Sequence, residues 1–227
     1  MSSDTRTRAH MHDASDLQTE GRTINRWTQF YDLFARVMSL GHDGALRQET
    51  VTRAGVRPGD QVLDVGCGTG ALTLVAARQA GAAGQVYGID ASPEMIRVAK
   101  RKGVRAAAAV TFSTGLIERL EYPDQMFDVV LSSLMMHHLT DELRRRGLLE
   151  IRRVLKPGGR VFIVDFSGEA GAGLHGIVAR LGHRGPGAPA VGEQDLPALL
   201  AEAGFEEVTN GAMGLPGIGF AAGHAPR

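Results

Sequence analysis

The chain predicts an α/β fold. The expected core is a seven-stranded, mostly parallel sheet with an antiparallel last strand and helices on both faces. Three observations carry this. Short apolar runs alternate with helical periodicity along most of the sequence, the pattern of strands joined by right-handed crossovers. One such run, Val62-Leu63-Asp64-Val65, breaks into a loop with three glycines, Gly66, Gly68 and Gly70. A second, Val86-Tyr87-Gly88-Ile89, ends in another acid, Asp90. A strand feeding a glycine-rich turn, with an acid ending the next strand, is the arrangement of a nucleotide-type ligand site at the carboxyl ends of parallel strands.

The elements follow in order. Residues 1–23 are polar, rich in Ser, Thr, Asp, Arg and His, and read as a disordered tail. His10 and His12 in that tail are not assigned to a metal. Trp27, Phe30, Tyr31, Phe34 and Val37/Met38 recur at helical spacing, and residues 24–55 are expected to form a helical lid. Leu46, Val51 and Ala54 mark the second helix of that lid, stopped by Gly55. Arg57-Pro58-Gly59-Asp60 turns the chain into strand one. The first crossover helix runs from Ala71 to about Gln79, its N-terminus aimed at the ligand. Ser92, Pro93 and Glu94 open the next helix as N-cap, first position and first-turn acid, and Gly103 is expected to stop it.

Val110-Thr111-Phe112 is the expected third strand and Phe127-Asp128-Val129-Val130-Leu131-Ser132-Ser133 the fourth. Thr140 caps a helix that carries Leu148, Ile151 and Leu155 inward. Lys156-Pro157-Gly158-Gly159 reads as a turn before strand five, Val161-Phe162-Ile163-Val164-Asp165. Asp195 caps a last helix with Leu196, Leu199 and Leu200 on one face and Gly204 as its stop. An antiparallel pair, about 206–208 and 217–222, completes the sheet. Residues 168–192 are Gly-Ala-Pro-rich, around one apolar stretch, Leu174–Leu181, and stand apart as a variable, acceptor-side segment. Residues 24–227 are read as one domain.

The glycine loop also fits the dinucleotide pattern through Gly66, Gly68 and Ala71. Asp64 argues against that ligand. A carboxylate two residues before the first glycine would repel a pyrophosphate in a low-dielectric crevice. It suits a cation, and S-adenosylmethionine carries an ammonium and a sulfonium together with a ribose whose hydroxyls Asp90 can accept. S-adenosylmethionine is therefore the expected cofactor. The backbone of Gly66, Cys67, Gly68 and Gly70 would approach it, with Cys67 present as a small residue that fits the loop. Thr69 and Ser133 would offer polar contacts, and Asp64 would help hold the ammonium end. Ala91 and Met95 would pack on the adenine.

Composition narrows the class further. The formal net charge is +0 and 43% of residues are apolar, which predicts a globular chain without non-specific affinity for nucleic acid. The triplet Arg144-Arg145-Arg146 reads as a solvated helix face. A single cysteine excludes an internal disulfide and fits a reducing, cytoplasmic setting. It also disfavours metalloid methylation, which needs several thiolates. The first residues lack a secretory signal's apolar core, and no run is apolar enough to span a membrane. No metal site is predicted. The chain is expected to act as a monomer or homodimer on a small-molecule acceptor, with peripheral membrane contact open to it.

With these residues in hand, the chain resembles the class I S-adenosylmethionine-dependent methyltransferases, whose Rossmann-like fold matches the sheet predicted above. The resemblance runs in order through the glycine loop, Phe127–Ser133 followed by His137-His138-Leu139, Leu155-Lys156-Pro157-Gly158-Gly159-Arg160, and Ile218-Gly219-Phe220-Ala221. It implies that Tyr31 in the lid contacts cofactor or acceptor. It also sets Leu116 where many members carry an acid or amide for the adenine amino group, leaving the backbone of Ile117 to meet the ring and implying weaker cofactor affinity.

Strand four ends before His137 and His138, and strand five ends at Asp165; these three are the candidate catalytic residues, as a base or as orienting groups. His175 and His183 lie in the variable segment. Within the family, Tyr31-Asp32-Leu33, Val37–Gly41, Arg153–Arg160 and Asp165-Phe166-Ser167 resemble the ubiquinone/menaquinone-biosynthesis C-methyltransferases, which implies a small, lipophilic or quinone-like acceptor. His137-His138, where that group usually has Arg-Asn, and the Gly-rich 168–192 depart from it. O- or N-methylation in specialised metabolism, a non-catalytic cofactor-binding protein and a Rossmann-type oxidoreductase are the alternatives.

Overall fold

The computed structural model describes residues 43–167 and 195–227. The tail, the aromatic stripe with Tyr31, and residues 168–192 with His175 and His183 lie outside the described residues. Along the chain the elements are α1 (Asp43–Arg53), β1 (Gln61–Val65), α2 (Ala71–Ala80), β2 (Gln85–Asp90), α3 (Pro93–Arg105), β3 (Val110–Thr114) and β4 (Phe127–Ser133). After β4 come a single 3-10 turn (Met136–His138), α4 (Asp141–Val154), β5 (Leu155–Phe166), α5 (Leu196–Glu202), β6 (Glu206–Ala212) and β7 (Ile218–His224).

The strands form one sheet in the order β3-β2-β1-β4-β5-β7-β6. The first five run parallel, and β7 lies antiparallel between β5 and β6. The chain winds outward from β1 through β2 to β3, then returns to the far side of β1 to form β4. That reversal opens a crevice at the carboxyl ends of β1 and β4.

Side chains alternate across the sheet and build two cores. Leu63, Val65, Val130 and Ile163 face α4 and α5, where Leu148, Ile151 and Leu200 meet them. Val62, Val129, Leu131 and Phe162 face the other way, onto Val51 and Ala54 near α1 and Ala76 of α2. Each of these residues is at most 2% exposed, as expected for parallel strands covered on both faces. Helix α1 is tied to the β6–β7 hairpin. The Arg53 guanidinium donates to the Ala212 carbonyl at 2.9 Å and lies 4.2 Å from the centre of the Phe220 ring, which stacks on Phe162.

The caps read from sequence are present. Ser92 Oγ accepts from the Met95 N–H, Thr140 Oγ1 from Leu143 and Asp195 Oδ1 from Ala198. Two expectations need correction. Gly103 does not stop α3, which continues to Arg105. A Cβ at Gly103 would sit 3.0 Å from Val110 and 3.3 Å from Phe112, so the glycine lets β3 pack against the helix. Lys156–Gly159 is not a free turn either. Phe127 pairs with Leu155 and Val129 with Arg160, so these four residues bulge out of the β4 ladder. They bond instead to the chain end, the Gly158 N–H to the Ala225 carbonyl and the Ala225 N–H to that of Gly159. The closing hairpin is also longer than expected.

Candidate functional site

The crevice is built on the β1–α2 loop. Gly66, Gly68 and Gly70 all have positive φ, 73°, 53° and 78°, which is why the loop needs glycine there. The N–H groups of Gly66 and Cys67 both donate to the Ile89 carbonyl, at 2.9 and 2.8 Å, pinning the loop to the end of β2. The loop has no room to grow. A Cβ at Gly66 would fall 2.4 Å from Met135 Cγ, and one at Gly70 2.6 Å from the Phe112 ring.

Asp90, at the end of β2, organises the loop from the other side. Its Oδ2 accepts the Gly68 N–H at 2.9 Å and its Oδ1 the Ser92 N–H at 2.8 Å. A carboxylate has about four acceptor positions. Two are filled, which leaves capacity for a pair of ligand hydroxyls. Burial raises the Asp90 pKa, and its two backbone donors only partly oppose this.

Asp64 is 1% exposed. It points from β1 onto α2, and its Oδ2 accepts the Thr73 hydroxyl at 2.6 Å. Burial pushes its pKa up to about 7. The Thr73 bond opposes that rise and the Asp90 charge adds to it. Asp64 and Gly88 are register partners, and Asp90 follows Gly88 by one side-chain repeat. The two acids therefore share one face of the sheet, and a cation nearby would favour both carboxylates.

The other predicted cofactor residues fall around this loop. Thr69 is buried and its hydroxyl accepts the Lys102 ammonium at 2.8 Å, a long-range contact from α3 that the sequence does not signal. Cys67 packs with Ile96, Ala99 and Phe112. Burial raises its thiol pKa, so it is a packed small residue and not a reactive one. Ala91 is half-buried and Met95 buried, and Ser133 ends β4 half-buried. The Leu116 carbonyl accepts the Arg119 N–H in a tight turn, and the Ile117 side chain is anchored beneath Gly147 of α4, where a Cβ would be 2.6 Å away.

The three catalytic candidates form one unit. His137 Nδ1 lies 2.7 Å from Asp165 Oδ1, and the His137 backbone N–H donates to Oδ2 at 3.0 Å. The Phe166 N–H donates to Oδ1 at 2.8 Å. The side chains of the pair are 5% and 1% exposed. His138 lies against His137 with ring centres 3.9 Å apart, and Phe166 meets the same ring edge-on. With Asp165 as carboxylate, the bond holds the His137 proton on Nδ1 and sets the basic lone pair on Nε2. Among the described residues, no cluster of His, Cys, Asp and Glu could hold a metal ion, and no helix is long and apolar enough to cross a membrane.

The site fits S-adenosylmethionine on its own chemistry. An acid with spare acceptor positions ends β2, a glycine cradle admits no side chain, and a second buried acid stands on the same face. Comparison with known proteins agrees with this. Residues 62–159 match the methyltransferase domain family. The chain is 38% identical, over 137 residues, to the ubiquinone/menaquinone biosynthesis C-methyltransferase UbiE of Burkholderia mallei. That match covers 60% of this chain, and the chain spans 56% of the length of that relative. An S-adenosylmethionine-dependent methyltransferase from Aquifex aeolicus shares the fold with a TM-score of 0.69 at 21% identity, covering 90% of this chain and all of that one. The [4+2]-cyclase SpnF shares it with a TM-score of 0.68 at 20% identity, covering 88% of this chain and 93% of that one.

Proposed function

We propose that this chain, whose residues 62–159 form a class I S-adenosylmethionine-dependent methyltransferase domain, transfers a methyl group from that cofactor to a small, lipophilic, quinone-like acceptor. The observation that carries the cofactor reading is the Asp90–Gly68 junction, a carboxylate that ties down the glycine loop and keeps acceptor positions to spare.

When bound, S-adenosylmethionine supplies a methyl group already activated by its sulfonium. The protein's task is then to bind, exclude water and orient the acceptor. Asp90 takes the ribose hydroxyls, and the backbone of Gly66 and Gly68 lines the methionyl side. Asp64 faces the ammonium end through its field, from beneath the loop. The backbone of Ile117 serves the adenine, since Leu116 has no acceptor to offer.

In this reading His137 is the base and Asp165 the residue that positions it. A hydroquinone or phenol becomes a good nucleophile when its hydroxyl gives up a proton. His137 Nε2 would take that proton, and Asp165 would stabilise the imidazolium that results. The acceptor class is supported by the name of the 38%-identical relatives. A neutral to weakly acidic hydroxylated ring also suits a single histidine base. The chain is read as cytoplasmic, as a monomer or homodimer.

Two experiments test this. Isothermal titration with S-adenosylmethionine, S-adenosylhomocysteine and NADH should show binding of the first two and none of the third. Labelled methyl transfer to a panel of quinols, phenols and amines should select a hydroxylated ring. Absence of binding by either adenosyl compound would overturn the cofactor reading, and selection of an amine would overturn the acceptor reading.

A further inference from the structure

Helix α3 carries a charge pattern that the cofactor site does not use. Its inner side, Met95, Ile96, Ala99 and Gly103, is buried. On its outer side Arg97, Lys100, Arg101, Val104 and Arg105 are all exposed. Their spacing of three and four residues sets them in a single stripe about 12 Å long. Val104, in the last turn on the same stripe, is 82% exposed, and the exposed Ala106, Ala107 and Ala109 continue an apolar tip beyond it. The sequence already sets Lys100, Arg101 and Lys102 side by side; the helix turns Lys102 away to Thr69 and aligns the other cations on one face.

These four cations differ from the ion-paired arginines of α4. On α4, Arg144 pairs with Asp141, Arg145 with Glu202, Arg146 with Glu142, and Arg153 with both Asp124 and Glu150. Among the described residues, no carboxylate lies within ion-pair reach of Arg97, Lys100, Arg101 or Arg105. The one acid of the helix, Glu94, is engaged by the Ser92 hydroxyl at 3.1 Å. Lys102 points elsewhere, to Thr69. A chain of net charge +0 thus concentrates unneutralised positive charge on one helix face and sets a bare valine at the end of it.

We propose that this face of α3 docks the protein on an anionic lipid surface, the cations meeting lipid phosphates and Val104 with the alanine tip entering the headgroup layer. Charge alone would fit any polyanion. The exposed valine decides for lipid, because it gains from an apolar boundary and nothing from a nucleic-acid backbone. The stripe also lacks the aromatic side chains on which bases stack. The proposal does not rest on the methyl-transfer reading, since it uses none of the cofactor residues.

The test is co-sedimentation of the full chain with phosphatidylcholine vesicles, with and without phosphatidylglycerol, at low salt. Binding is expected only when phosphatidylglycerol is present. Each cation replaced by glutamine should weaken it about fivefold, so Arg97→Gln with Arg101→Gln should weaken it about 25-fold. Val104→Asp should weaken binding with every cation in place, and Val104→Leu should strengthen it. Titration with S-adenosylmethionine should be the same for these variants as for the parent, which separates lost docking from lost folding. Failure to sediment with anionic vesicles, sedimentation indifferent to the paired variant, or tighter retention by an RNA or DNA oligonucleotide at equal salt would each refute the proposal.

Discussion

Asp64→Asn should flatten the pH dependence of stability. Asp64 is buried at 1% exposure and its pKa is raised from 3.8 to about 7. Between those values the folded chain keeps a proton that the unfolded chain has released, so stability falls as pH rises through the window. The window is about three pH units wide, and at about 1.4 kcal/mol per unit the loss is about 4 kcal/mol in all. From about pH 5 to about pH 8 the Asp64 share is about 3 kcal/mol. Asparagine keeps a carbonyl for the Thr73 hydroxyl but buries an NH2, at a cost of about 1–3 kcal/mol that does not vary with pH. The slope with pH, and not the absolute stability, is therefore the readout. Urea unfolding of the ligand-free protein at the two pH values is the assay. With denaturant slopes of about 1–3 kcal/mol per molar, the parent midpoint should drop by roughly 1–3 M more than that of the variant. Asp90 contributes a loss of the same sign that the variant retains. Equal losses in the two proteins would refute the burial argument.

Other expectations follow from the same geometry. Asp90→Ala removes the acceptor of two backbone N–H groups and of the proposed ribose contact, and should weaken S-adenosylmethionine binding about 100-fold by calorimetry. Gly66→Ala, at φ 73° and with Met135 Cγ 2.4 Å from the new methyl, should cost about 1–3 kcal/mol in thermal or urea unfolding. His137→Ala should lower kcat about 10²–10⁴-fold once an acceptor is known, and Asp165→Asn, which weakens the partner that orients the imidazole, should lower kcat with little change in the KM for the acceptor; unchanged kcat in both variants would remove the dyad from the chemistry. Leu116→Asp should tighten cofactor binding in the same titration, and no gain would show that the adenine sits elsewhere.

Much of the fold is legible because its signals are local. Ser92-Pro93-Glu94 carries its own cap, and the glycines of the loop are demanded by three positive φ values within five residues. The misreadings came where a distant partner decides. Gly103 reads as a helix stop until β3 supplies Val110 and Phe112 against it. Lys156–Gly159 reads as a turn until the chain end provides Ala225 as a pairing partner. The candidate site divides in the same way. Asp165 could be picked as the last polar residue of its strand, and His137 and His138 as the histidine pair that follows strand four. Their pairing could not, because it depends on the β4–β5 register, in which Ser133 faces Val164 and Asp165 comes to lie beside the turn after β4. The Lys102–Thr69 bond is hidden likewise, since the lysine lies a whole β-α unit beyond the loop.

The two acids of the crevice show why a shared glycine pattern does not mean a shared ligand. Side-chain alternation sends Asp64 and Asp90 to the same face, and Gly88 between them in register offers no side chain to separate them. Each carboxylate is costly there, and the Asp90 charge adds to the rise at Asp64. The fold offsets the cost with the Thr73 hydroxyl and the N–H groups of Gly68 and Ser92, all of them hydrogen-bond donors without charge. A pyrophosphate brought to this loop would add negative charge to a face that already holds more than it can screen. A ligand with an ammonium and a sulfonium does the reverse: it favours both carboxylates and draws the proton off Asp64. Binding of such a ligand near neutral pH should therefore release protons, read as a calorimetric enthalpy that changes with the ionisation heat of the buffer, and Asp64→Asn should reduce that release to the share of Asp90 while leaving its ribose contact in place.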